Sequence, residues 1–228
     1  MVYFILVIAV ILAGVYILTE IKSEPLKAFA VKGLASFGFI SLFIVSVYEN
    51  NAYQTNSIIV CFFALGMVAG LMGDLYLALR PLRPKSENHQ IILYGTICFA
   101  IGHLFYYLAL LNYGTFSIWG IIISLIITIA TFMISKLMKL NWGASKYPSI
   151  VYSFMLFLVA GQSFINAVHV NFISFSLIVF LGALLFGISD LVLAQIYFKD
   201  CKRKGFIVLN LSLYYAAQIL LAFSLFLL

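Results

Sequence analysis

Few residues in this chain could do chemistry, and two of them stand out by their surroundings. Asp74 ends the run Gly66-Met67-Val68-Ala69-Gly70-Leu71-Met72-Gly73-Asp74, and Asp190 ends Leu181-Gly182-Ala183-Leu184-Leu185-Phe186-Gly187-Ile188-Ser189-Asp190. They are the only acids inside hydrophobic segments. A charge in such a place costs roughly 2.5 kcal/mol or more on insertion scales, so its default reading is functional. Aligning residues 62–79 with 178–195, a shift of 116, places Asp74 on Asp190 and gives six identities in 18 positions. Leu matches Leu readily in so apolar a composition; the paired acid is the informative identity. Two carboxyl groups in a low-dielectric pocket resist ionising together, because desolvation and mutual repulsion both oppose it. A pair sharing a proton offers one donor and one carboxylate, the division of labour used by glycosidases. Substrates cleaved through an oxocarbenium-like cation suit it.

The elements that must position this pair follow from composition. The chain has 228 residues, 65% hydrophobic and 9% charged, which is a membrane composition. Windows of about 20 residues, the length that crosses a bilayer core, mark eight apolar segments at about 2–19, 28–48, 57–79, 90–111, 115–138, 148–167, 171–198 and 205–227. The expectation is an all-α polytopic membrane protein, one transmembrane domain over 1–228. All 13 Lys and Arg fall in or beside the first, third, fifth and seventh connections. The positive-inside rule makes that side cytoplasmic and places both termini outside. The net charge of +6 is thereby explained without nucleic acid, and the partners expected are membrane lipids. In a bacterium the location would be the cytoplasmic membrane. The first segment lacks a basic n-region and is long enough to span, so it reads as a retained helix. Cys61, Cys98 and Cys201 have no metal spacing and are expected as free thiols.

Polar residues along the spans supply the remaining candidates. Gly66, Gly70 and Asp74 share one helix face, where small residues permit close approach and aim the carboxylate into the bundle. Pro25 suits a first helical turn. Lys32, about two turns into the second span, suits snorkelling to headgroups or a phosphate contact at a site mouth. His103, Tyr106 and Tyr107 form one stripe; Tyr214, Tyr215 and Gln218 form another. Tyr152, Gln162, Ser163 and Asn166 read as interhelical hydrogen-bonding groups, His89 and His169 as solvated, and Trp142 and Tyr147 as interfacial anchors. By helical rise, Asp74 lies roughly 9 Å and Asp190 roughly 12 Å from the cytoplasmic charges that follow them. Phe99 to His103 pairs weakly with Tyr214 to Gln218. The halves 1–111 and 115–228 therefore read as parallel repeats with the aspartates facing across their axis.

The motifs Gly73-Asp74-Leu75 with Leu77, Gly102-His103 with Tyr106, Gly182 to Phe186 with Ser189-Asp190, and Tyr214-Tyr215 with Gln218 resemble those of the YhhN family of integral membrane lysoplasmalogenases. Eight spans and the length also fit. The resemblance implies hydrolysis of the vinyl ether bond of a lysoplasmalogen to a fatty aldehyde and glycerophospho-ethanolamine or -choline. With that chemistry Asp74 and Asp190 are expected as the catalytic pair, one protonating the alkenyl carbon and the other stabilising the cation and taking a proton from water, in either order, with Ser189, His103, Tyr106, Tyr214, Tyr215 and Gln218 around the substrate. Lys32, Arg80 or Lys199 would lie near the headgroup phosphate. No cofactor is expected, and with only His103 clearly inside a span, no metal. A proton-coupled transporter also explains paired membrane acids and a parallel repeat. An intramembrane aspartyl protease would need Gly at position 71, which is Leu, and a Tyr before Asp190, which follows Ser189.

Overall fold

The computed structural model describes residues 1–22, 24–140, 142–169, 175–199, 201 and 203–228. Among the described residues eight long helices carry the fold: α1 (Val2–Ile21), α2 (Pro25–Glu49), α3 (Ser57–Leu79), α4 (Asn88–Tyr113), α5 (Ile118–Leu137), α6 (Lys146–His169), α7 (Phe175–Phe198) and α8 (Lys204–Ser224). Each is long and apolar enough to cross a membrane, and the described residues include no strand. This is a multi-pass, all-helical membrane protein. Hydrocarbon offers the backbone no partner, so each span satisfies its own N–H and C=O groups by staying helical. The expected segments coincide with these helices, except that the start of the 171–198 segment and Lys202 lie outside the described residues. Pro25 opens α2 in its first turn, where its missing N–H costs nothing.

Helix pairing follows one pattern in both halves. In the first set α1 packs on α2, α2 on α3, α3 on α4, and α2 also on α8. In the second, α5 packs on α6, α6 on α7, α7 on α8, and α6 also on α4. The match ends at α1, which also packs on α8, whereas α5 packs chiefly on α6.

Glycines set the closest of these contacts. The ring of Tyr106 on α4 packs against Gly66, inside clash distance of any Cβ there, and Phe99 presses on Gly73, its ring 2.8 Å from the Cβ position. Gly102 of α4 sits against the Gly66 carbonyl, 3.1 Å from its own Cβ position. Bare backbone at these points lets α3 and α4 approach closely enough for dispersion and weak polar contacts to hold them. The expected inward face of α3 is therefore the face it buries.

Two residues, His89 in the first turn of α4 and Trp142 before α6, have partners that their sequence positions did not announce. His89 is exposed, yet its Nδ1 is hydrogen-bonded with Ser145 Oγ at 3.0 Å, tying the turn before α6 to the start of α4. Trp142 stacks obliquely on Phe198 with ring centroids 4.4 Å apart, whereas Tyr147 is exposed, as an interfacial anchor should be.

Gly66→Ala should lower the melting temperature in detergent, because overpacking of this kind costs about 1–3 kcal/mol. Gly14→Ala, whose Cβ would meet nothing within 4 Å, should leave it unchanged. Equal melting of both variants would mean that Tyr106 yields without strain.

Candidate active site

Asp74 projects from α3 into the bundle and is 1% exposed. Its Oδ2 accepts two hydrogen bonds at 2.7 Å, one donated by Ser36 Oγ of α2 and one by Tyr214 Oη of α8. Its Oδ1 faces Lys32 Nζ of α2 at 3.2 Å. Lys32 and Ser36 are one turn apart on α2, so a single helix face supplies both a cation and a donor. Gln218, one turn after Tyr214, donates from Nε2 to the tyrosine oxygen at 3.0 Å. The ammonium group of Lys32 also lies 5.7 Å from the centroid of the Tyr16 ring and 6.0 Å from that of Tyr214. Three helices, α2, α3 and α8, thus meet at one carboxylate, and its charge is compensated by an ion pair and two hydroxyl groups.

Asp190 on α7 is held more sparsely. Tyr152 Oη of α6 donates to its Oδ2 at 2.5 Å. This bond and the one from Ser36 to Asp74 each span 38 residues, so the shift of 116 that carries Asp74 onto Asp190 also carries Ser36 onto Tyr152. The same shift carries Lys32 onto Pro148. Asp190 has no cation within ion-pair distance among the described residues; the three ion pairs there are Lys32 with Asp74, Lys27 with Glu24, and the amino terminus with Glu49. The two carboxyl groups occupy corresponding places in unlike electrostatic surroundings.

Both line one cavity of about 790 Å³, within the range of small-molecule sites. Its walls include Phe99, Phe186, Leu156 and Leu211, and its lining runs from the aspartates to Arg80, Arg83 and Lys146 at the basic end of the bundle. Phe99 bridges the two networks, its ring centroid 6.4 Å from Tyr152 and 6.3 Å from Tyr214. No hydrogen bond joins the carboxyl groups directly. Each carboxyl group has its own hydroxyl donor instead.

The other candidates separate into wall and backing. Lys32, Ser189 and Tyr214 line the cavity; His103, Tyr106, Tyr215 and Gln218 do not. Lys32 does not snorkel: it is 7% exposed and turned to Asp74, because a carboxylate one helix away offers more than the interface does. Ser189 donates from Oγ to the Asn210 carbonyl at 3.0 Å and is met in return by Asn210 Nδ2 at 2.9 Å, so its hydroxyl joins α7 to α8. His103 is buried behind Phe186, ring centroids 4.9 Å apart, with Nδ1 bonded to the Phe99 carbonyl at 2.7 Å. Tyr106 fills the notch at Gly66. Gln218 acts through Tyr214, and Tyr215 packs edge-on against Tyr16 at 5.7 Å. Sequence reasoning missed Ser36 and Asn210. Ser36 was findable as the residue 116 before Tyr152, and Asn210 as one turn before Tyr214 on the stripe that continues to Gln218.

These features define a multi-pass membrane protein with two aspartates on one internal cavity. The chain belongs to the YhhN family, whose model matches residues 27–225. No curated protein and no solved structure matches it.

Lys32→Met leaves the Asp74 carboxylate buried without its cation, which should cost about 3–5 kcal/mol. The double variant Lys32→Met/Asp74→Asn removes both charges and should recover most of the loss in thermal unfolding in detergent. A single variant that melts like the parent would show that the pair carries no charge.

Proposed function

We propose that this protein hydrolyses the vinyl ether bond of lysoplasmalogens, with Asp190 as proton donor and Asp74 as the carboxylate that stabilises the cation. The observation that carries the assignment is the unequal compensation of two carboxyl groups on one cavity: among the described residues Asp74 has Lys32, and Asp190 has only a phenol. Family membership supports the choice of substrate class.

A vinyl ether is cleaved by protonation of its β-carbon, not its oxygen. In the proposed step the Asp190 proton passes to that carbon, and the positive charge spreads over the α-carbon and the ether oxygen. A carboxylate already held in place beside the cation needs no reorganisation to stabilise it, which is the main contribution of a preorganised polar site. Water adds to the α-carbon and loses its proton to the carboxylate left at Asp190, restoring the acid. The hemiacetal then collapses, its hydroxyl proton passing to the ether oxygen as the carbon–oxygen bond breaks. Aldehyde and glycerophospho-base are released, and no proton is gained or lost overall. Tyr152 orients the Asp190 carboxyl group, while Ser36 and Tyr214 fix that of Asp74. The apolar walls at Phe99, Phe186, Leu156 and Leu211 keep bulk water from the cation. We further propose that the halves are copies of one four-helix unit, which accounts for the corresponding places of the two acids.

Purified protein in detergent should release aldehyde from a lysoplasmalogen and none from the saturated ether analogue, which cannot be protonated on carbon. Asp190→Asn should reduce release at least about 10²-fold, the scale of a lost general acid, and Asp74→Asn about 10²–10³-fold. Near-normal turnover of either variant would refute the roles. Flux in proteoliposomes with no product would favour the proton-coupled transporter instead.

A further inference from the structure

The cavity does not end at the aspartates. Its lining continues to a rim of Arg80, Arg83, Lys85 and Lys146, contributed by the turns after α3 and the start of α6. None of the four has an ion-pair partner among the described residues. Positive residues on a cytoplasmic face serve topology wherever they sit, but these converge on one opening. Arg80 is the most constrained of them. Its guanidinium lies over the Tyr197 ring, 4.2 Å from the centroid, and is hydrogen-bonded to the Tyr197 side chain. Its Nε is buried without a hydrogen-bond partner, a donor left unused at a cost. A planar guanidinium with a spare donor, on a cavity that three further cations without ion-pair partners among the described residues also line, fits a phosphate group.

From this geometry we infer that the rim binds the phosphodiester of the substrate headgroup and that Arg80 measures its distance from the reacting carbon. The inference rests on the function proposed above. Arg80 follows Asp74 by six residues, about 9 Å of helical rise. In a 1-alkenyl glycerophospholipid, seven bonds separate the alkenyl β-carbon from phosphorus, about 9 Å when extended at ordinary bond lengths. A lipid whose phosphate sits at Arg80 therefore brings its vinyl ether to the depth of Asp74, on the cavity that Asp190 also lines. Lys32 cannot serve as the phosphate ligand, because Asp74 already holds it.

The test uses the full-length protein in detergent, with two substrates that share the vinyl ether and differ in the phosphate: a 1-alkenyl lysophospholipid and a 1-alkenylglycerol. The parent should favour the phospholipid in kcat/KM, chiefly through KM. Arg80→Gln should shrink that preference about ten-fold, one charge-assisted hydrogen bond's worth, with Arg80→Lys intermediate. An Arg80→Gln preference equal to the parent's overturns the proposal. A binding measurement separates this failure from failure of the hydrolysis reading. A saturated 1-alkyl lysophospholipid should raise the melting temperature of the parent more than that of Arg80→Gln, whether or not any aldehyde is made. Equal protection of the two proteins overturns the inference. Inorganic phosphate and glycerophosphocholine form the third arm: protection by either that matches the lipid's would make the rim a site for free phosphate compounds and overturn the headgroup assignment.

Discussion

The organisation of this molecule depends on a lysine and an aspartate that neutralise each other away from water. Burying either alone would cost several kcal/mol, and the pair is tolerable only because geometry and extra hydrogen bonds compensate for the lost hydration. Lys32 and Ser36 on α2, Asp74 on α3 and Tyr214 on α8 supply that geometry, with Gln218 steadying the tyrosine. The close approach of α3 and α4 at their glycines leaves Asp74 no route to the lipid. Positioning and packing are thus one problem with one solution, and the register of α2, α3 and α8 relative to one another follows from it.

The cavity inherits a gradient from this arrangement. Among the described residues, it is lined at its basic end by cations without ion-pair partners, deeper by a compensated carboxylate, and also by a carboxyl group with a single phenolic partner. The aromatic rings between the two acids, Phe99 and Phe186, separate the hydroxyl networks without closing the space, so the acids face one chamber while keeping distinct surroundings.

The eight spans were legible because hydrocarbon imposes length and apolarity on every crossing segment, and the two acids because nothing in a lipid-facing helix excuses them. Rotation was harder to read. In a helix apolar on all sides the hydrophobic pattern no longer says which face is inside, so Lys32 offered two fates, snorkelling or phosphate contact, and the structure gives a third. The same ambiguity put His103 and Tyr106 with the site, although they back its wall. Ser36 is small and common in membrane helices and draws no notice alone; only its hydrogen bond, the counterpart of the one from Tyr152, gives it meaning. Asn210 hid for a related reason, since its bonds to Ser189 cross to a neighbouring helix that sequence spacing does not identify.

One consequence concerns Pro148, which occupies in the second half the place of Lys32 in the first. Two identical subunits related by an axis cannot differ at one position: whatever sits beside the first acid must sit beside the second. If the halves are copies joined in a single polypeptide, that constraint lapses. Each copy can then drift on its own, one keeping an ammonium group, the other opening a helix with an imino acid. Fusion of this kind would turn a symmetric pair of equivalent acids into a division of labour that no homodimer could encode.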